Sequence, residues 1–439
     1  MRSEAHTLRL PPVVGLIALA LGRLAGSEVP ADAAGPVSLT LAEAEQRAVE
    51  HNWEQLAVRR DVAIADAQRM TAREFPNPSA SVITTHINTD GRGNPAQVGN
   101  KLWDRSYDSV FSLTQPLEIG GKRAARQASA LAGYEAARAQ FADARRTLTF
   151  AVVRAYVAAA LADATARIAA ESAGYLRAQA NVATTRLGAG DIAQFERDRI
   201  EIAARQMELQ AQTARAVAAG QRVALEVLLG FENPRGGVGL RDDVESLAKA
   251  ELPALSRHPL NRPDLIQAEQ ALRKAEADLR LQRAMRIPDP ALVVQYEHQP
   301  PDASNSVGVG VSFPLPLWSR NRGGIRAATM VRDQVALAVR KIRAQIAADF
   351  ATSQVTYDEA FARWHDYTDN VRPRAERVRQ SVSLAYEKGG VSLLDLLEAQ
   401  RADNDVRVAA VQAAADAVIA RAARQAAGSE FVPETEDYP

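Results

Sequence analysis

The run Ser306-Val307-Gly308-Val309-Gly310-Val311-Ser312-Phe313 alternates strictly between apolar and small polar residues. A period of two puts Val307, Val309, Val311 and Phe313 on one face of a strand, with Ser306, Gly308, Gly310 and Ser312 on the other. Three more segments share the pattern. After Pro290, Leu292, Val294, Tyr296 and His298 lie opposite Ala291, Val293, Gln295 and Glu297. After Pro78, Ala80, Val82, Thr84 and His86 lie opposite Ser79, Ser81, Ile83 and Thr85, and Tyr107, Phe111 and Leu113 alternate with Asp108, Ser112 and Thr114. Strands are therefore expected over about 79–89, 106–115, 291–299 and 306–315. Segments of about ten alternating residues suit a membrane barrel. Four such strands cannot close a barrel within one chain, so a membrane reading demands several copies. Two soluble hairpins packed on helices have the same periodicity, and the strands alone leave that reading open.

These segments occupy matching places in a duplicated chain. Phe75-Pro76-Asn77-Pro78 recurs as Ile287-Pro288-Asp289-Pro290, and Ser112-Leu113-Thr114-Gln115-Pro116-Leu117 as Ser312-Phe313-Pro314-Leu315-Pro316-Leu317. Gly190-Asp191-Ile192-Ala193-Gln194-Phe195-Glu196 is matched by Gly389-Gly390-Val391-Ser392-Leu393-Leu394-Asp395. The halves run over about 37–229 and 262–427, joined by a Gly/Pro-rich connector over 230–261 and followed by a tail, 428–439.

Each half reads helix, two strands, very long helix, break, helix. The first helix is expected from Leu41 to Arg73 with Thr40 as N-cap. The proline segments stop it and its counterpart, because proline disfavours helix in the residue before it. Long helices are expected over about Lys122–Leu187 and Gly324–Lys388. Some 65 helical residues extend about 100 Å. Leu148, Val152, Ala155, Ala159 and Ala162 form a narrow Ala-rich stripe for close helix contact. Gly174 and Pro373 fall at matching positions, where a bend is expected. The reversals at Gly188–Gly190 and Gly389–Gly390 make two helical hairpins with exposed tips, about 186–192 and 386–392.

Lys+Arg and Asp+Glu are equal at 53 each, so no global field favours nucleic acid. Hydrophobic residues make up 47% but aromatics only 5%, a balance suited to closely packed helices rather than a large globular core. With no cysteine there is no disulfide frame, thiolate metal site or lipid anchor on an N-terminal cysteine. Arg2 and Arg9 precede an apolar run from Leu10 to Leu21, and Ala31-Asp32-Ala33 follows, so residues 1–33 read as a secretory signal peptide. Beyond Leu21 no apolar run of about 18 residues is seen, and no mature transmembrane helix is expected.

None of the six histidines stands at metal-ligand spacing, and no phosphate loop or nucleophile elbow occurs. The repeat relates His86 and His298, and their parity places them on the apolar face, where an interfacial imidazole is the simpler account than a metal ring. Neither a cofactor, nor a metal, nor an enzymatic activity is expected. A periplasmic coiled-coil adaptor or scaffold without a membrane span shares the long hairpins and the signal peptide; it does not require matched apolar parity in four strands.

Together these features resemble the TolC family of outer-membrane efflux proteins across nearly the whole mature chain. The duplicated halves, the proline strand entries, Arg262-Pro263-Asp264-Leu265 opening the second half and the Gly-containing tips carry the resemblance. It implies a mainly α homotrimer whose four strands per protomer build a twelve-stranded barrel in outer-membrane lipid, above a tunnel of α-helical hairpins. It also implies a passive exit duct with a periplasmic adaptor and an inner-membrane pump, here of the resistance-nodulation-division type. Gln115-Pro116-Leu117-Glu118-Ile119-Gly120-Gly121-Lys122-Arg123 is similar to the branch serving cobalt–zinc–cadmium export. Drug efflux and type I protein secretion use the same fold.

The resemblance further implies roles at the tips. Tyr386, Asp395 and Glu398 match the family's aperture tyrosine and acidic pair, and Glu196 its first-half acid. Threefold rings of Asp395 and Glu398 would select cations, and crowding would raise their carboxyl pKa values. Val391 stands where the best-known member has an arginine that links to that acid, so the same polar link is not expected here. Arg186, Gly188, Gly190 and Asp191, with Lys388, Gly389, Gly390 and Ser392, would meet the adaptor.

Overall fold

Thr40 and Asn52 set where the chain first turns helical. Thr40 closes a capping box with Glu43 at the start of α1 (Leu41–His51), and Asn52 accepts the N–H groups of Glu54 and Gln55 to start α2 (Trp53–Arg73). The Asn52 amide also donates to Leu228 O at 3.0 Å, so the single helix expected over 41–73 is two, broken by a side chain that serves a distant carbonyl. The structure, a computed structural model, describes residues 38–85, 109–250, 261–299 and 303–429. The signal segment, residues 86–108 with His86 and the start of the expected second strand, and most of the tail lie outside the described residues.

The remaining order is β2 (Ser79–Thr84), β3 (Ser109–Pro116), α3 (Lys122–Ala189), α4 (Gln194–Leu228), α5 (Val244–Lys249), α6 (Pro263–Ala284), β5 (Ala291–Gln299), β6 (Ala303–Ser312), α7 (Arg322–Asp366), α8 (Arg372–Glu387) and α9 (Leu393–Ala427). Two short strands, β1 (Ser38–Leu39) and β4 (Gly239–Leu240), pair in parallel and tie the start of the chain to the connector. β6 lies three residues earlier than expected at each end: it starts where Ala303 pairs with Gln299, and it ends at Ser312 because no described residue pairs with those beyond.

α3 is the central element, 68 residues long and flanked by α2, α4, α6 and α9. Its buried set includes Val152, Val153, Tyr156, Val157, Ala159 and Ala160, broader than one narrow stripe because neighbours close on several sides. By length and composition α3 contains a segment apolar enough to cross a membrane, contrary to the expectation from sequence; that helix instead packs within the protomer, against Trp364, Val411, Ala414 and Val418. Alanine at so many of these contacts lets the helix axes approach closely.

The predicted bends differ. α3 runs unbroken through Gly174, where nothing lies within 4 Å of an added Cβ. Pro373 is preceded by a π-helical turn, Tyr367–Val371, between α7 and α8. Proline removes an N–H and collides with the carbonyl four residues back, and the wider turn absorbs both; glycine imposes neither.

The connector is held from beneath. The Glu226 carboxylate, 3% exposed, accepts N–H groups of Arg235, Gly236 and Val238 at 2.5, 2.7 and 2.9 Å. Gly230 (φ +75°) passes so close to His51 O that a Cβ would lie 2.2 Å from it, so no other residue fits. Arg241 pairs with Glu43, and its guanidinium holds that carboxyl down at a pKa of about 2.

Where helices meet sheet, Arg123 and Arg126 donate to the last carbonyls of α2, at Arg73, Ala72 and Glu74, while Arg126 grips Glu118 at 2.5 and 3.0 Å. Arg262, 4% exposed, holds Asp264 and Asp349 at the start of α6. Burial alone would push the Asp264 carboxyl up, but the Arg262 guanidinium outweighs it and the net shift is downward.

Candidate functional site

Two surfaces matter for function: the face of the four-stranded sheet and the helical tips. The sheet is antiparallel in the order β2-β3-β5-β6, with Val82 opposite Phe111, Phe111 opposite Tyr296 and Tyr296 opposite Val307. Leu113, Val294 and Val309 form a second row, and Leu292 pairs with Val311. The registers thus line up an apolar row from all four strands on one face, although Ile83, Val110 and Val293 lie on the other. That face is bare: Val82 is 64% exposed, Val307 75% and Val309 73%. The opposite face carries Ser81, Ser112, Gln295 and Gly308, with a hydroxyl contact of 2.7 Å between the two serines. An apolar band this exposed, continuous across four strands on one side of a sheet, suits hydrocarbon better than water. His298 lies at the outer end of β5 with Nδ1 3.4 Å from Asn305 Oδ1. Among the described residues no cluster of three or more His, Asp or Glu is placed to hold a metal ion.

The tips are built alike. α3 ends with Gly190 at φ +80°, its N–H donating to Leu187 O and that of Asp191 to Arg186 O, both at 3.0 Å. α8 is followed by Gly389 at φ +75°, whose N–H donates to Tyr386 O at 3.0 Å, with Gly390 N–H donating to Ala385 O at 2.8 Å. This double bond pattern around a left-handed residue is the Schellman reversal, and it requires glycine at Gly190 and Gly389 but not at Gly188 or Gly390. Gly188, Gly190, Asp191, Lys388, Gly389, Gly390 and Ser392 are exposed, while Arg186 is half-buried.

Both helices that follow begin at equivalent residues, Ala193 and Ser392, with Glu196 and Asp395 at the third helical position. Only the second tip has a side-chain cap. Asp395 N–H donates to Ser392 Oγ at 3.3 Å, and the Asp395 carboxylate accepts Ser392 N–H at 2.9 Å and its hydroxyl at 2.6 Å. Those bonds hold the Asp395 carboxyl below its ordinary range, opposite in sign to the effect expected from ring crowding, which no single protomer contains. Glu398 is exposed one turn further along α9.

The two hairpins are sewn together behind the tips. Leu176, Ala180, Ala183 and Ile200 of the first pack on Leu393 and Leu396 of the second, with Tyr386 against the cluster. The Arg186 guanidinium sits 5.8 Å from the Tyr386 ring centroid, within cation–π reach. Tyr175 OH lies 2.9 Å from Ser383 Oγ, Ser172 Oγ donates to Asn404 at 2.9 Å, and Arg407 pairs with Glu171 at 2.5 Å. The Arg186–Tyr386 contact joins the tips without an arginine at Val391. These cross-hairpin pairs were not legible from sequence, since each joins residues about 200 positions apart with no shared motif.

The pattern of a duplicated helical body carrying one bare apolar sheet is matched by a family model, outer membrane efflux protein, over residues 42–231 and 254–429. The chain belongs to the outer membrane efflux protein family. It is similar to the cobalt-zinc-cadmium resistance protein CzcC of Cupriavidus metallidurans, 26% identical over 375 residues that cover 85% of each chain. It is also similar to the nickel-cobalt-cadmium resistance protein NccC of Alcaligenes xylosoxydans xylosoxydans, 26% identical over 360 residues, 79% of this chain and 76% of that one. Among solved structures, CusC superposes with a TM-score of 0.73 at 17% identity, over 92% of this chain and 96% of that one, a likeness of fold. This outer membrane efflux protein is therefore an efflux channel of the outer membrane with its helical body on the periplasmic side. The family consists of channels rather than enzymes, and its members act in tripartite systems with an adaptor and an inner-membrane pump.

Proposed function

We propose that three copies of this chain close their sheets into a twelve-stranded barrel and form the exit duct of a tripartite pump for divalent heavy-metal cations. The observation that carries the barrel is the bare apolar face spanning all four strands, together with β2 and β6 as sheet edges that no described strand of the same chain covers. An open edge and an exposed apolar face are both removed when the sheet closes on itself in lipid. Exposed apolar residues at heptad spacing on α4, Phe195, Ile202 and Leu209, offer a seam for the neighbouring copy's helices.

The cargo reading rests on the similarity to CzcC and NccC, whose names tie them to cobalt, zinc, cadmium and nickel resistance. Asp395 and Glu398, with Tyr386 and Glu196, form the gate at the periplasmic end and favour cations by their charge. Arg186, Gly188, Gly190, Asp191, Lys388, Gly389, Gly390 and Ser392 receive the adaptor, and an inner-membrane pump of the resistance-nodulation-division type supplies the energy. The test is deletion of the gene followed by growth on zinc, cadmium, cobalt, nickel and common antibiotics. Sensitivity to the metals is the expected result. Sensitivity to antibiotics alone overturns the metal cargo and supports drug efflux by the same duct.

A further inference from the structure

The exit from sheet to long helix is built twice in this chain, with different charge. In the first half each cation is held inside the protein. Lys122 Nζ lies 2.7 Å from Asp289 Oδ2, Arg126 grips Glu118, and Arg123 donates to Arg73 O with its guanidinium 3.9 Å from the Phe75 ring centroid. The repeat sets Phe75-Pro76 against Ile287-Pro288 and Leu117 against Leu317, so Glu74 corresponds to Arg286 and Glu118 to Trp318. The second exit therefore has neither acid of the first.

Residues 279–288 and 312–331 together carry six arginines and no Asp or Glu, in a chain whose cations and acids balance at 53 each. Folding brings the two segments together. Asn321 Nδ2 donates to Gln282 O and to Gln282 Oε1, both at 2.8 Å; Arg320 and Arg322 flank Asn321, and Arg286 follows Gln282 by four residues. Arg286, Arg320 and Arg322 are exposed, and among the described residues none forms an ion pair or a side-chain hydrogen bond with any of them. α7 opens at the same place with no side chain capping its first N–H groups, so the positive end of a 45-residue helix adds to the arginines.

The apolar residues around this charge point to its ligand. Phe313, Leu315 and Leu317 continue the alternate spacing of Val307, Val309 and Val311 and are exposed like them, and Trp318 is 94% exposed. The bare face of the sheet thus runs on into the arginines. Because the helical body is periplasmic, this rim meets the leaflet that faces the periplasm. We propose that Arg286, Arg320 and Arg322, with Trp318, form a binding surface for anionic phospholipid in that leaflet. Guanidinium groups take phosphate oxygens in pairs, and their methylene stems lie along apolar surface. The indole sits at headgroup level, its usual place in a membrane protein. A zwitterionic lipid brings an amine that the arginines repel, so the rim selects a lipid without one. The inference rests on the reading of the sheet face as lipid-facing and adds which lipid its periplasmic rim prefers.

The test uses the purified protein in phosphatidylethanolamine vesicles that contain equal fractions of either phosphatidylglycerol or phosphatidylcholine with brominated acyl chains. Trp318→Phe identifies the share of tryptophan quenching that belongs to Trp318. Both lipids should quench it, and phosphatidylglycerol should associate about five-fold or more the stronger, five-fold being the effect of one arginine near a charged surface. Arg286→Gln, Arg320→Gln and Arg322→Gln together should make the two lipids equal; the single variants show the same loss in smaller steps if the triple one does not insert. Equal quenching in the parent, or a preference that survives these replacements, overturns the site. Inorganic phosphate in place of chloride at equal ionic strength should leave the preference unchanged; its loss assigns the arginines to a soluble phosphate and overturns the lipid. Protein that floats with the vesicles while neither lipid quenches Trp318 has its rim covered by another copy, which also overturns the proposal. Protein that does not float with the vesicles overturns the lipid-facing sheet itself.

Discussion

Ala193 and Ser392 stand at the same place in the two tips, yet only Ser392 supplies an acceptor to the helix it precedes. Replacing an N-cap serine by alanine costs about 1 kcal/mol of local helix stability. In a marginal local opening equilibrium about 1 kcal/mol is roughly a five-fold change. Ser392→Ala should therefore speed amide exchange over residues 393–396 by about five-fold. The converse is the stricter test. Glu196 already occupies the third helical position, so Ala193→Ser completes a second capping box and should slow exchange over 194–197 by a similar factor. Hydrogen-exchange mass spectrometry of the detergent-solubilised protein at neutral pH reads both. Unchanged or faster exchange in Ala193→Ser would refute the view that the two tips share one geometry and differ by a cap. Because Ser392 lowers the Asp395 carboxyl pKa, the stabilisation from that contact is present above the ordinary value of 3.8 and fades as pH falls below it. The protection of the second tip should follow.

Glu226→Ala leaves the buried N–H groups of Arg235, Gly236 and Val238 without their acceptor, at roughly 1–3 kcal/mol for an unpaired group; trypsin should then cut after Arg235 in the variant and not in the parent. Asp395→Asn with Glu398→Gln should lower cation preference in single-channel recordings, and unchanged selectivity sinks the acidic gate. Glu43, held at about 2 by Arg241, contributes stability that is full above the ordinary 4.5 and is lost as pH falls toward 2. Pepsin access to residues 38–52 should accordingly rise over that interval, and Arg241→Gln should shrink the transition to what the Thr40 hydrogen bonds sustain.

Much of this molecule can be read directly from residue order. Alternation in Val307–Phe313 marks a strand with one apolar face because side chains change sides at every residue, whatever lies nearby. The repeat exposes the two tips and the two proline-led strand entries, and glycine at Gly190 and Gly389 marks the reversals because only a residue without Cβ takes positive φ without strain. Asn52 does not stand out in the sequence as a helix break because the helical spacing continues on both sides of it, and its partner Leu228 O is brought to it only by folding.

Other features depend on which surfaces meet. Gly174 and Pro373 match in the repeat, but only proline loses a hydrogen bond, so only the second long helix is distorted. The Arg186–Tyr386 contact and the Ser172–Asn404 bond exist because α3 and α9 lie side by side, and no periodicity encodes a pairing between distant helices. Likewise the end of β6 is set by the sheet and not by its residues. Phe313 and Leu315 are at least as apolar as their counterparts Leu113 and Gln115 in β3, but a strand needs a neighbour to receive its hydrogen bonds, and among the described residues none lies at that edge.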